Sequence, residues 1–91
     1  MSKQFSNLEA WKWAKFLSVY VYSLTKKYPH NEQFALTSQT TRAAVSIAAN
    51  IAEGSSRSSK KNFAHFLEIS IGSAFELETL IEIASDLQYI N

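Results

Sequence analysis

Cysteine is absent from this chain, which removes a disulfide framework, a thiolate-bound zinc and a thiol nucleophile from consideration. Proline occurs once, at Pro29, and glycine twice, at Gly54 and Gly72. So few chain breakers, with no Asn-Gly or Asp-Gly pair, leave little room for hairpins. No apolar run approaches the roughly 18–20 residues of a membrane span, and the first residues have no apolar signal-peptide core. A cytoplasmic protein that stays out of the membrane is expected. There is no glycine-rich phosphate loop, and Asp86 is the only aspartate, so no Ser-His-Asp set is suggested.

The chain has 91 residues, the size of one small domain, so residues 1–91 are read as one helical domain. Hydrophobic residues at 46% and aromatic residues at 13% exclude a disordered polar tail. The net charge of +1 hides an uneven distribution. Residues 1–61 carry all nine lysines and arginines, against only Glu9, Glu32 and Glu53. Residues 62–91 carry Glu68, Glu76, Glu78, Glu82 and Asp86, with no lysine or arginine. A basic front and an acidic tail suit internal pairing or a basic surface that faces an acidic partner.

Three helices follow from periodicity. The first is expected to open on a capping box, Ser6 with Glu9, with Phe5 stapled onto Ala10. Its apolar set is Leu8, Trp11, Ala14, Leu17, Val21 and Leu24, widened by Trp13, Phe16, Val19 and Tyr20 to more than one face. Lys26 and Lys27 suit its negative end, and Pro29 stops it. A turn over 31–36 leads to a second helix, capped by Thr37 or Ser38 and ended by Gly54 as a left-handed cap. Its five alanines between Arg42 and Glu53 permit close helix approach. A loop at 55–59 precedes a third helix from Ser59 to about Tyr89, roughly 45 Å long. Phe63, Leu67, Ser70, Ala74, Leu77, Ile81 and Ala84 form its heptad seam. Phe66, Ile69, Leu80, Ile83 and Leu87 form a second apolar stripe, which one chain of three helices struggles to cover. Self-association or a partner protein on that stripe is the expectation.

The stretch LTSQTTRAAVSIAANIAEGSSR at 36–57 and HFLEISIGSAFELET at 65–79 strongly resemble a bacterial family. So do FSNLEAWKWAKFLSVYVY at 5–22 and the connector YPHNEQFALTSQ at 28–39. The chain resembles the four-helix-bundle proteins encoded in 23S rRNA intervening sequences, over nearly its whole length. The resemblance implies an antiparallel up-down helical bundle that assembles as a homo-oligomer, commonly a pentamer. A distant relative of similar fold is the accessory protein of diversity-generating retroelements, which works with nucleic acid. Thr41 stands where the family usually has a second arginine, and Ala48 replaces a common mid-helix proline. The family pattern expects a fourth helix after Asn91.

The second helix carries a polar seam, Arg42, Ser46, Asn50 and Glu53, with Arg57 beyond it. In an antiparallel hairpin Arg42 faces Ser73–Glu76, Ser46 lies near Ser70 and Asn50 near Phe66. The simplest reading is a structural polar network of Arg42, Ser46, Asn50, Glu53, Ser70, Ser73 and Glu76, with Arg42–Glu76 as its ion pair. A seam at a subunit interface and a ligand site are the alternatives. Gly72, in mid-helix, is expected at a close helix contact, with a hinge as the alternative. His65 with Glu68 is a reversed and solitary version of the di-iron motif, and Glu78 with Glu82 reads as a solvated face. No catalytic residue, metal or cofactor is therefore assigned, and the protein is read as non-enzymatic. Lys12, Lys15, Arg57, Lys60 and Lys61, with Lys26 and Lys27, supply phosphate contacts for the alternative function, RNA or DNA binding. Trp11, Trp13, Tyr20, Tyr22 and Tyr28 offer rings for base stacking.

Overall fold

A computed structural model describes residues 8–91 of the chain. Three α-helices carry the fold: α1 over Glu9–Thr25, α2 over Leu36–Ser55 and α3 over Lys60–Asp86. A single 3₁₀ turn, His30–Glu32, lies between α1 and α2. Among the described residues there is no strand. The helices run up, down and up, and the molecule measures 43 × 21 × 20 Å. At about 1.5 Å per residue, the 20 residues of α2 span about 30 Å and the 27 of α3 about 40 Å.

The middle helix organises the bundle. α2 packs against both α1 and α3, whereas the α1 and α3 backbones do not approach within 8 Å of each other. The core is Ala14 and Val21 of α1, Ala43, Ala44, Ile47 and Ile51 of α2, and Leu77 and Leu80 of α3. Thr40, Ala44 and Ala84 are fully enclosed. Small residues at these positions let three helices share a narrow core. The α3 seam differs from its expected form at two places, since Leu80, expected on the second stripe, is buried while Ile81 is only half-buried. Ser73 points inward and Ala74 outward, so the buried face is Ser70, Ser73, Leu77, Leu80 and Ala84.

The helix ends depart from expectation more than the helix bodies do. Leu8 occupies the cap position of α1 without a side-chain cap, and Ser6 and Phe5 lie outside the described residues. α2 starts at Leu36, ahead of both Thr37 and Ser38, with Ala35 at the cap position. Its first N–H is instead met from outside, because Leu36 N–H donates to Glu32 Oε1 at 3.3 Å. A carboxylate near a helix N-terminus also complements its dipole. Ser59, where the third helix was expected to begin, is its cap, accepting from Asn62 N–H at 3.1 Å.

Gly54 is not a left-handed cap. No glycine has positive φ, and α2 continues through Gly54 to Ser55. Its reason is proximity: a Cβ there would lie 2.9 Å from Phe63 Cδ1 and 2.9 Å from Phe66 Cβ. The left-handed residue is Gln88, at φ 66°, three residues short of the end. Tyr89 N–H donates to Ala84 O and Gln88 N–H to Ser85 O, both at 2.9 Å. That pair of bonds is a Schellman motif, and it ends α3 at Asp86 instead of Tyr89.

Tyr89 then ties this end down. Its ring lies 5.7 Å from that of Tyr28, and its hydroxyl donates to Glu32 Oε2 at 2.8 Å. The bond favours the protonated phenol and holds its pKa above the usual 10.0, with burial and the Glu32 charge acting the same way. Tyr28 reaches the other side, 3.4 Å from Thr40 Oγ1. Thr40 gives its own proton to Leu36 O at 2.7 Å, so Tyr28 is the donor.

Candidate functional site

Two grooves flank α2, and the residues that line them differ in kind. The groove toward α1 has a volume of about 310 Å³ and is lined by Trp11, Lys15, Ser18, Val19, Val45, Ala48, Ala49 and Ala52. Its walls are mostly alanine and valine methyls and one indole. Ser18 crosses it, its Oγ 3.0 Å from both Ala14 O and Ala44 O. The second groove, toward α3, is about 390 Å³ and is lined by Gln39, Arg42, Ala43, Ser46 and Glu76.

Hydroxyls set the register at the base of this second groove. Ser46 Oγ and Ser73 Oγ are 2.8 Å apart, and the Asn50 amide donates to Ser46 Oγ at 2.9 Å and to Ser46 O at 2.8 Å. Ser70 Oγ donates across the helices to Ile47 O at 2.9 Å. Ser46 therefore meets Ser73, where Ser70 was expected, and Ser70 finds a carbonyl instead. Among the described residues no buried side-chain polar atom lacks a partner. This part of the expected network exists and is self-contained.

The charged members are elsewhere. Arg42 and Glu76 line the same groove, both exposed, yet they form no ion pair with each other or with any other described residue. The expected Arg42–Glu76 bridge is thus absent, because both side chains sit on the outer rim, where water solvates each charge. Glu53 turns away from the seam and pairs with Arg57 at 2.6 Å. Gln39, which also lines the groove, precedes Arg42 by one helical turn, and extending the seam by that spacing finds it.

The five basic residues proposed for nucleic acid gather at one end of the bundle. Trp11 and Lys15 line a groove with Ala52, which places the start of α1 beside the turn that carries Arg57, Lys60 and Lys61. They are not equally available. Arg57 is held by Glu53 and stacks 4.8 Å over the Phe66 ring. Lys12 lies 3.5 Å from Glu9, and Lys15 sits 5.0 Å over the Trp11 ring. Lys60 and Lys61 are exposed in the first turn of α3. Gly72 is open: a Cβ there would meet nothing within 4 Å. The close contact expected for it is not made within this chain.

Among the described residues no group of three or more His, Asp or Glu side chains is placed to hold a metal ion. No described helix is long and apolar enough to cross a membrane.

Fold and grooves together define a small antiparallel all-α bundle, organised around a central alanine-rich helix and open along both of its flanks. The family described as 23S rRNA-intervening sequence protein matches residues 6–91. The chain belongs to that family. No curated protein matches it.

Proposed function

We propose that this chain is a non-enzymatic cytoplasmic scaffold that works as a homo-oligomer and offers a face to protein partners. The observation that carries this reading is uncovered aromatic and aliphatic surface. On α1, Trp13 is 69% and Phe16 63% exposed, and Val19 and Tyr20 are exposed beside them. On α3, Phe75 is 65% exposed, with Ile69, Ile71, Ile83 and Leu87 also open. Phe34, in the connector, is 90% exposed. Side chains of this size are the ones that association buries most profitably, and they are enriched at interfaces. The exposed α3 stripe supports the expectation of a protein partner there. A ring of five is the assembly that the family resemblance implies.

Light scattering at micromolar concentration tests the reading. A mass several times that of the 10.3 kDa chain is expected, and a monomer refutes it.

The gathering of Lys12, Lys15, Lys60 and Lys61 at one end supports a second reading, RNA or DNA contact by a basic patch repeated around the oligomer. Repetition makes weak phosphate sites effective through avidity. A gel shift with mixed RNA and with duplex DNA, at low and high salt, is the measurement. Binding that weakens steeply as salt rises is expected, and no binding at low salt disposes of it.

A further inference from the structure

We infer that the α2/α3 groove is where two copies of this chain dock, Arg42 of one copy pairing with Glu76 of the other and Glu76 with Arg42. The inference rests on the homo-oligomer reading and deepens it by naming one contact surface.

Three observations bear on that groove and on the stripe of α3 that carries Glu76. Arg42 of α2 and Glu76 of α3 are opposite charges lining one groove, both exposed and neither paired among the described residues. A surface that carries one positive and one negative group side by side becomes its own complement when a second copy is turned by a half rotation, as isologous contacts require. Gly72, one helical turn from Glu76, is exposed, and a Cβ there would meet no atom within 4 Å. A glycine there lets a second backbone come close. Ile69 and Ile83 share this stripe of α3, at spacings of three and seven from Gly72 and Glu76, and remain 40% and 42% exposed. The face thus combines apolar contact with two charges that set its register.

A small-molecule occupant is less well supported. The described buried polar atoms beneath the groove are all partnered, so no buried group is left over to hold a ligand. The α1 face has more apolar surface, but its opposite charges Lys12 and Glu9 already pair with each other. A two-fold contact at the groove is separate from any ring contact on the α1 side, so it pairs two chains or two rings.

The test uses the full chain and four samples beside the wild type: Arg42→Glu, Glu76→Arg, the double variant and an equimolar mixture of the two single variants. Sedimentation gives mass, and circular dichroism checks that the exposed substitutions leave the helices intact. Each single variant brings like charges together and is expected to halve the wild-type mass, with at least tenfold weaker association. The double variant and the mixture restore opposite charges at both contacts and are expected to regain the wild-type mass. Single variants that keep the wild-type mass would leave the groove to another occupant and overturn the inference, while the assembly reading stands. Singles that dissociate but are rescued neither in the mixture nor in the double variant also overturn it. A monomeric wild type defeats both.

Discussion

Toward α1, the central helix presents Ala44, Ala48 and Ala52, and the hydroxyl of Ser18 reaches across to its backbone. Toward α3 it presents Ser46, Asn50 and Gly54, and meets Ser73, Ser70 and the rings of Phe63 and Phe66. Both flanks use small side chains to bring helices close, but they fix alignment differently. The α1 flank relies mainly on shape, with methyls against an indole and one valine, and Ser18 supplies its one described cross-helix hydrogen bond. Along the α3 flank, hydroxyl and amide groups can pair in one register only. Shape tolerates sliding and redirection better than a set of directional bonds does, and the outer face of α1 stays exposed.

Substitutions that add bulk separate the two flanks most sharply. Ala44 is fully buried, and Ala44→Leu is expected to destabilise the fold by about 3 kcal/mol, the upper range for overpacking. Urea unfolding followed by circular dichroism measures it. A loss under about 0.5 kcal/mol would show a slack α1 flank. Gly54→Val drives a Cβ into Phe63 and Phe66 and is expected to cost about 2 kcal/mol in the same assay. Gly72→Ala reverses the sign. With open space around it, alanine is expected to stabilise the dilute chain by about 1 kcal/mol through helix propensity. Equal effects at the two glycines would erase the distinction between a packed and an open face of α3.

The smallest effect concerns the end where α3 is tied down. Tyr89 has its folded pKa raised above the unfolded value by its bond to Glu32. Its contribution to stability is therefore complete below pH about 10 and is lost as pH rises through the folded value. Thermal melting at pH 7 to 11 should fall more steeply above pH 10 in the wild type than in Tyr89→Phe. Parallel profiles would mean that the Tyr89–Glu32 bond carries no stability.

Much of this was legible in the sequence. The three helix bodies, the start of α3 near Ser59 and the antiparallel register of α2 with α3 follow from spacing and breaker positions. Ser46 was placed within one helical turn of its true partner. What was not legible depended on distances that spacing does not encode. A glycine near a helix end reads equally as a cap or as a close contact, and only the Phe63 ring decides for Gly54. Gln88 adopts a left-handed conformation that composition assigns to glycine, so the stop of α3 was set too late. The Arg42–Glu76 pair was inferred from helical facing alone. Long side chains on a solvated rim need not meet, and Arg42 and Glu76 both stay exposed.

The Schellman turn at Gln88 also bears on how the molecule can be handled. Because Tyr89 is secured against Tyr28 and Glu32, a fluorescent or affinity tag added after Asn91 departs from the end bearing Pro29 and His30. The lysine-bearing turn at 60–61 lies at the far end of α3, about 40 Å away along its axis. Tethering through that tag would hold the molecule upright with its basic end toward solvent, a fixed orientation for force or surface-capture measurements.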